Sequence, residues 1–391
     1  MTPERKTMRA SALVDIGRVE TRTIERPVPG ERDVLIDVAA CGLCGSDFHI
    51  FTGEGNWNLA PDGHPIPLQV EAQILGHEIT GTVCETGNAV KDLSVGDRVV
   101  LDQGINCVSS ARVPLCEYCS RGSSHLCEHY AEHGITGLPG GFAEFIAVPA
   151  VNAIRIESAL GFEAATLTEP TACILRALDR LERSGARYRL DAEDDQDRIR
   201  TVVIAGGGPA GQLFLQLLRR QLGFEGTVIL SDRTALKRSI AERHDAIAIG
   251  IDPAEVEEAI LERSGGRRAE LVIDACGAGS IWRDVPTWIR KQAGVLMYGY
   301  GRRGASMELL NALQWREPTV VTPSGASGGF DADGRPSIYR RSLQLIEDGT
   351  IDAEILLTHE YDGLDRLQQV LESEMTRDDY LKGVVRPNGI R

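Results

Sequence analysis

The stretch "VVIAGGGPAGQLFLQLL", residues 202–218, limits the possible folds more than any other part of the chain. An apolar run of β character leads into Gly206, Gly208 and Gly211, spaced G-x-G-x-x-G, and an apolar helical run follows directly. Glycine-rich loops are common, and the spacing alone says little. Between a strand and a helix, however, it lets the backbone approach a pyrophosphate, which then sits on the free N–H groups of the helix N-terminus. Gly206, Gly208, Pro209, Ala210 and Gly211 are therefore candidate dinucleotide contacts. Asp232 stands 21 residues beyond Gly211, at the end of the next apolar run. Its carboxylate suits the ribose hydroxyls of NAD and repels the 2′-phosphate of NADP. Arg233 beside it can accept that phosphate, and in "SDRT" the aspartate also reads as a plain helix cap.

The rest of this region fits the same picture. From Thr201 onward "TVVIA", "GTVIL", "AIAIG", "ELVIDAC" and "GVLMYGY" read as strands. The runs Ala210 to Leu222, "TALKRSIAER", "PAEVEEAILERSG" and "IWRDVPTWIRKQ" between them read as helices. Such alternation implies right-handed crossovers and an α/β, doubly wound parallel sheet with helices on both faces. The first 150 residues differ: short β-type runs such as "DVLIDVAACG" and "EITGTVCETG" are punctuated by Gly and Pro. The last 70 residues return to mixed character, and "YLKGVVRP" reads as a further strand of that first domain.

Bulk properties exclude some partners. A net charge of −15 over 391 residues argues against a nucleic-acid backbone partner. The N-terminus lacks the apolar run of a signal peptide, and no stretch reaches the ~20 apolar residues of a membrane span. The reading is a cytoplasmic protein, in which clustered cysteines are metal ligands or catalytic groups before they are disulfides. Four of the nine cysteines fall within residues 107–127: Cys107, then Cys116, Cys119 and Cys127, the last three separated by gaps of two and seven. A second constellation lies upstream. "CGLCGSDFHIFTGEG" supplies Cys44, Ser46, Asp47 and His49, "LGHEITG" supplies His77 and Glu78, and "LTEPTACI" supplies Glu169. Thiolate, imidazole and carboxylate together suit a tetrahedral Zn²⁺ with one open position.

Cys44-Gly45-Ser46-Asp47, Gly76-His77-Glu78, Glu169-Pro170 and the dinucleotide loop, in this order, resemble the zinc-dependent medium-chain dehydrogenases, in their polyol and sorbitol dehydrogenase branch. The resemblance covers essentially the whole chain. It implies a GroES-like catalytic domain at 1–168 and 321–391, with a cysteine lobe at about 104–130, and a Rossmann domain at 169–320. By matching position, Cys44 and His77 are catalytic zinc ligands, and either Glu169 or Glu78 is the third. Asp47 holds the far nitrogen of His77. Ser46 hydrogen-bonds the substrate oxygen, His49 carries the proton to solvent, and Cys173 lies against the nicotinamide.

The family's structural zinc uses four cysteines at gaps of two, two and seven. Val113 stands where the first would fall, so Cys107 takes that role with "VSSARV" inserted after it. A three-thiolate site completed by His125 or His129, or an empty lobe, are the other readings. Cofactors are then NAD and two Zn²⁺, and the partners a small alcohol and a second copy of the chain, as homodimer or homotetramer. The activity implied is oxidation of a secondary alcohol of a polyol, sugar or cyclitol to the ketone. An amino alcohol such as threonine, an aldehyde adduct or a terpene alcohol stands as the alternative substrate, and a non-catalytic NAD-binding protein as the remote one. "WNLAPDGHPIPLQVEAQ" is a candidate cover for the substrate mouth, with His64, Trp57 and Gln73 as contacts.

Overall fold

The structure, a computed structural model, describes residues 6–301, 304–326 and 328–389. It divides into two compact units: the first contains residues up to Ala172, Ala326–Gly349 and those from Leu357, the second Cys173–Gly325 with Thr350–Leu356.

The first unit is built on a mixed sheet of seven strands. Their order is Leu357–Asp362, Lys382–Arg386, Asp33–Gly42, Glu78–Thr86, Arg98–Leu101 and Ala153–Arg155, with Phe145–Pro149 also pairing Asp33–Gly42. Leu357–Asp362 and Lys382–Arg386 run parallel and the remaining pairs antiparallel. A hairpin of Thr7–Asp15 and Arg18–Glu25 lies outside this sheet. Alternate residues of Asp33–Gly42, among them Val34, Ile36 and Val38, enter one core with Ile79, Val99, Leu101 and Phe142. A side-chain period of two puts one face of the strand inward. The C-terminal stretch does rejoin this unit, with "YLKGVVRP" contributing the strand Lys382–Arg386 beside Asp33–Gly42.

The second unit is a six-stranded parallel sheet. Its order is Ile247–Ile249, Thr227–Ser231, Thr201–Ala205, Ala269–Asp274, Ile289–Met297 and Thr319–Val321, or 3-2-1-4-5-6 counted within the unit. Thr201–Ala205 is buried at all five positions, as expected for a parallel strand covered on both faces. The order reverses between Thr201–Ala205 and Ala269–Asp274, and ligands of such sheets bind outside the strand ends at that point. This is the doubly wound sheet that the alternation implies.

Several boundaries differ from the sequence reading. The helix after Gly208 is α-helical only over Pro209–Gln216 and continues as a wider π-type turn over Leu217–Gln221. The helix in "IWRDVPTWIRKQ" stops at Trp288, because Ile289 is fully buried and pairs with Ala269 as the first residue of a strand. Burial in the sheet outweighs the helical period there. Finally, residues 169–172 group with the first unit, and residues 321–325 and Thr350–Leu356 with the second, where the Asp352 N–H donates to Gln216 Oε1 at 2.6 Å.

Candidate active site

Cys44 ends the turn after Asp33–Gly42 and is the N-cap of the short helix Gly45–Phe51. Asp47, in the first turn of that helix, folds its carboxylate back so that Oδ2 accepts the Cys44 N–H at 2.8 Å. Its Oδ1 accepts the Gly76 N–H at 3.1 Å. A single buried carboxylate thus fixes the backbone on both sides of the site. Gly76 has φ +90°, and a Cβ there would meet Cys41 Sγ at 2.7 Å, so both conformation and packing demand glycine before His77. Asp47 Oδ1 is 3.7 Å from His77 Nδ1, the distance of an ion pair rather than a hydrogen bond. Its hydrogen bonds go to the two backbone amides instead of to the imidazole expected from the sequence.

Cys44, His77 and Glu78 each bring one ligand atom into a group whose members lie within 4.8 Å of one another. His77 and Glu78 are buried, and Cys44 is half-buried. His77 Nδ1 and Glu78 Oε2 are buried without hydrogen-bond partners. A Cβ on Gly42, which pairs with Glu78 in register, would lie 2.0 Å from that Oε2. Burial disfavours a charged imidazole, but the Cys44 thiolate and the Asp47 carboxylate overcome this and push His77 well above its usual range. A site that draws a proton so strongly is one that a cation fits: sulfur, nitrogen and oxygen donors converge, and Glu78 Oε2 among them lacks a partner.

Glu169, in the first turn of the helix Thr168–Glu182, is 4% exposed. It is not among the converging ligand atoms. Its Oε1 accepts from Gln103 Nε2 at 3.0 Å. Its charge nonetheless contributes to raising His77. Of the two carboxylates left open by the sequence, Glu78 stands within the group and Glu169 outside it.

Ser46 is half-buried with Oγ 3.8 Å from Cys44 Sγ. His49 lies one turn further along the same helix, and its Nδ1 faces Glu54 Oε2 at 2.7 Å. The loop is also tied back through its backbone, since the N–H groups of Glu54 and Gly55 both donate to the His49 carbonyl. Trp57 packs against the core, Gln73 is buried and donates to Asn56 Oδ1 at 3.0 Å, and His64 is exposed. Trp57 and Gln73 thus tie the "WNLAPDGHPIPLQVEAQ" loop to the core and to Asn56.

Sequence reasoning missed Lys382, Gln103 and Tyr339. Lys382 Nζ donates to Glu78 Oε1 at 2.5 Å and to the Leu43 carbonyl at 2.8 Å. Burial disfavours its ammonium, but Glu78 more than compensates and raises its pKa. Lys382 is one of only five lysines in the chain, but it opens a short strand that ends in Arg386, and nothing local sets it apart.

The cysteine lobe brings Cys107, Cys116, Cys119 and Cys127 together within 4.8 Å. Cys107 Sγ is 3.6 Å and Cys116 Sγ 3.9 Å from Cys127 Sγ. A tetrahedron with Zn–S of about 2.3 Å has an edge of about 3.8 Å, so the donor set fits zinc. The Cys116 thiol is pushed down to about 6, chiefly by the N–H groups of Cys119 and Glu128. The inserted "VSSARV" forms a compact turn begun by Asn106, whose Oδ1 accepts the Val108 N–H at 2.8 Å.

In the second unit Gly208 is the N-cap of Pro209–Gln216. Pro209 opens the helix without losing a needed N–H. Asp232 Oδ2 accepts the Gly207 N–H and its Oδ1 the Thr234 N–H, both at 2.8 Å. It therefore braces the glycine loop as well as the next turn. Arg233 is exposed, Cys173 half-buried, and Ala210 and Gly211 follow Pro209 in the first turn.

Comparison with known proteins agrees with these features. Residues 30–158 match the alcohol dehydrogenase GroES-like domain. The chain is similar to D-arabinitol dehydrogenase 1 of Uromyces fabae, with 30% identity covering 93% of this chain and 92% of that one. It is similar also to L-threonine 3-dehydrogenase of Pyrococcus abyssi, at 26% identity over 89% and 90% of the two chains. A zinc-binding dehydrogenase from Sinorhizobium meliloti 1021, solved with NADP, superposes with a TM-score of 0.76 at 30% identity, covering 98% of this chain and 100% of the other. The paired acids beside a thiolate and an imidazole, the glycine loop of the parallel sheet and these likenesses lead to one assignment: the chain belongs to the zinc-dependent medium-chain dehydrogenase/reductase family, in its polyol-dehydrogenase-like part, and is an NAD(P)-dependent alcohol dehydrogenase.

Proposed function

We propose that this enzyme oxidises a secondary alcohol of a polyol, sugar or cyclitol to the ketone and prefers NAD. The observation that supports the substrate class is the charge of the site: Glu78 joins a single thiolate and an imidazole, buried Asp47 and Glu169 act on the same His77, and Lys382 is the counter-ion of Glu78. A donor set with a carboxylate in place of a second thiolate is more polar, which suits a substrate bearing several hydroxyls. Zinc at Cys44, His77 and a carboxylate supplies Lewis-acid polarisation of the alcohol oxygen, and NAD supplies the hydride acceptor.

The chain's own groups do the rest. Ser46 Oγ, placed beside Cys44, takes the alcohol proton. His49, oriented through Glu54, passes it outward. Asp47 keeps Cys44 and His77 in register by holding the Cys44 and Gly76 amides. Asp232 favours the free ribose of NAD over a 2′-phosphate. The four-cysteine lobe takes a second zinc, with no open position and no chemistry of its own.

The test is reduction of NAD and of NADP by purified enzyme with arabinitol, sorbitol, inositol, L-threonine and ethanol. A polyol is expected to give the highest kcat/KM, by about tenfold or more over threonine. Threonine leading the panel would overturn the substrate class.

A further inference from the structure

Gln103 follows the strand Arg98–Leu101 and is 2% exposed. A buried amide is costly unless both its ends are bonded. Here both are. Nε2 donates to Glu169 Oε1 at 3.0 Å, and Oε1 accepts the Tyr339 hydroxyl. Tyr339 is fully buried on the helix Ser337–Glu347, 236 residues away in sequence. The Gln103 backbone is held as well, its carbonyl accepting the His133 N–H at 3.0 Å.

The chain of bonds has a direction. The carbonyl end of the amide meets the Tyr339 hydroxyl and the NH₂ end meets Glu169. An NH₂ group only donates, so the Glu169 oxygen it meets is the acceptor. Glu78 is met by a cation, Lys382, whereas Glu169 is met by this neutral donor.

We propose that Gln103, oriented by Tyr339, is a positioning residue that fixes the Glu169 carboxylate for the Cys44–His77–Glu78 group, and so strengthens zinc binding there. This rests on the zinc reading above. Outer partners of metal-site carboxylates and imidazoles commonly matter by about 10–100-fold in metal affinity.

The experiment is chelator competition for zinc on the full chain, with metal content as readout and the cysteine-lobe zinc as internal control. Gln103→Leu is expected to weaken the Cys44-site zinc by about 10–100-fold and to leave the lobe zinc in place. Tyr339→Phe, which frees the amide to turn over, is expected to give a smaller loss in the same direction. In a Glu169→Gln background the Gln103→Leu loss is expected to vanish, because the two residues act as one unit. Zinc affinity of Gln103→Leu within twofold of the parent, or an equal loss in the Glu169→Gln background, would overturn the inference alone. A parent enzyme whose zinc content is unchanged by Cys44→Ser would overturn the zinc reading and this inference with it.

Discussion

Lys382 and Glu78 form an ion pair of 2.5 Å with side chains only 2% and 0% exposed, although 304 residues separate them. Removing one member of such a pair strands the other charge. Lys382→Met is therefore expected to lower the unfolding free energy by about 3–5 kcal/mol in urea denaturation. The double variant Lys382→Met with Glu78→Leu should recover part of that loss. A Lys382→Met chain as stable as the parent would mean that the ammonium does not neutralise Glu78.

Asp102 leads to a pH effect. Burial pushes its carboxyl up to about 7, against the opposing Gly104 N–H. The folded state therefore holds a proton that the unfolded chain has already lost above about pH 4. Stability falls as pH rises from about 4 to about 7, and stays reduced above that. Asp102→Asn keeps an acceptor for the Gly104 N–H and has no charge to bury. Its unfolding free energy should lie above the parent's at pH 8, by up to about 4 kcal/mol, with the gap closing toward pH 4. Parallel curves for the two proteins would refute this.

For the cysteine lobe, plasma emission on the dialysed chain is expected to read two zinc per chain. Cys107→Ser should read one and melt at a lower temperature, while His125→Ala and His129→Ala should keep both ions. Loss of zinc from either histidine variant, with Cys107→Ser unaffected, would exchange their roles.

Coenzyme choice is best probed with Asp232→Asn, which keeps acceptor oxygen for the Gly207 or Thr234 amide while removing the charge. The ratio of kcat/KM for NAD over NADP should fall by about tenfold, equivalent to about 1.4 kcal/mol. An unchanged ratio would show that the negative charge is not what excludes the phosphate.

His49→Ala is expected to slow the oxidation rate by about 100-fold with zinc content unchanged, as for the loss of a proton-transfer group. A rate within a factor of about two would make the His49–Glu54 pair a structural clasp for the loop.

What could be read from the sequence was what is encoded locally. Gly206, Gly208 and Gly211 sit between a strand and a helix within a few residues, and Cys116 and Cys119 are one helical turn apart, so short-range patterns exposed both sites. Cys107 could be recognised because the displaced partner remained on the same strand exit. Lys382, Gln103 and Tyr339 could not, for a physical reason. Each acts through a partner far along the chain, at separations of 304, 66 and 236 residues, and an amide or hydroxyl in a core leaves no periodic trace. The end of the helix at Trp288 was hidden likewise, because the pairing of Ile289 with Ala269 decides it.

The order of the strands also bears on how the enzyme is made. Lys382–Arg386 lies next to Asp33–Gly42, and Lys382 bonds the Leu43 carbonyl across 339 residues. During synthesis the early strands must wait, with an open sheet margin and an acid at Glu78 lacking its counter-charge, until more than three hundred further residues have been added. A ribosome stalled short of Lys382 would hold a nascent polypeptide able to bury its oily face but not to neutralise its reaction centre, and that half-built product is the one expected to need a chaperone.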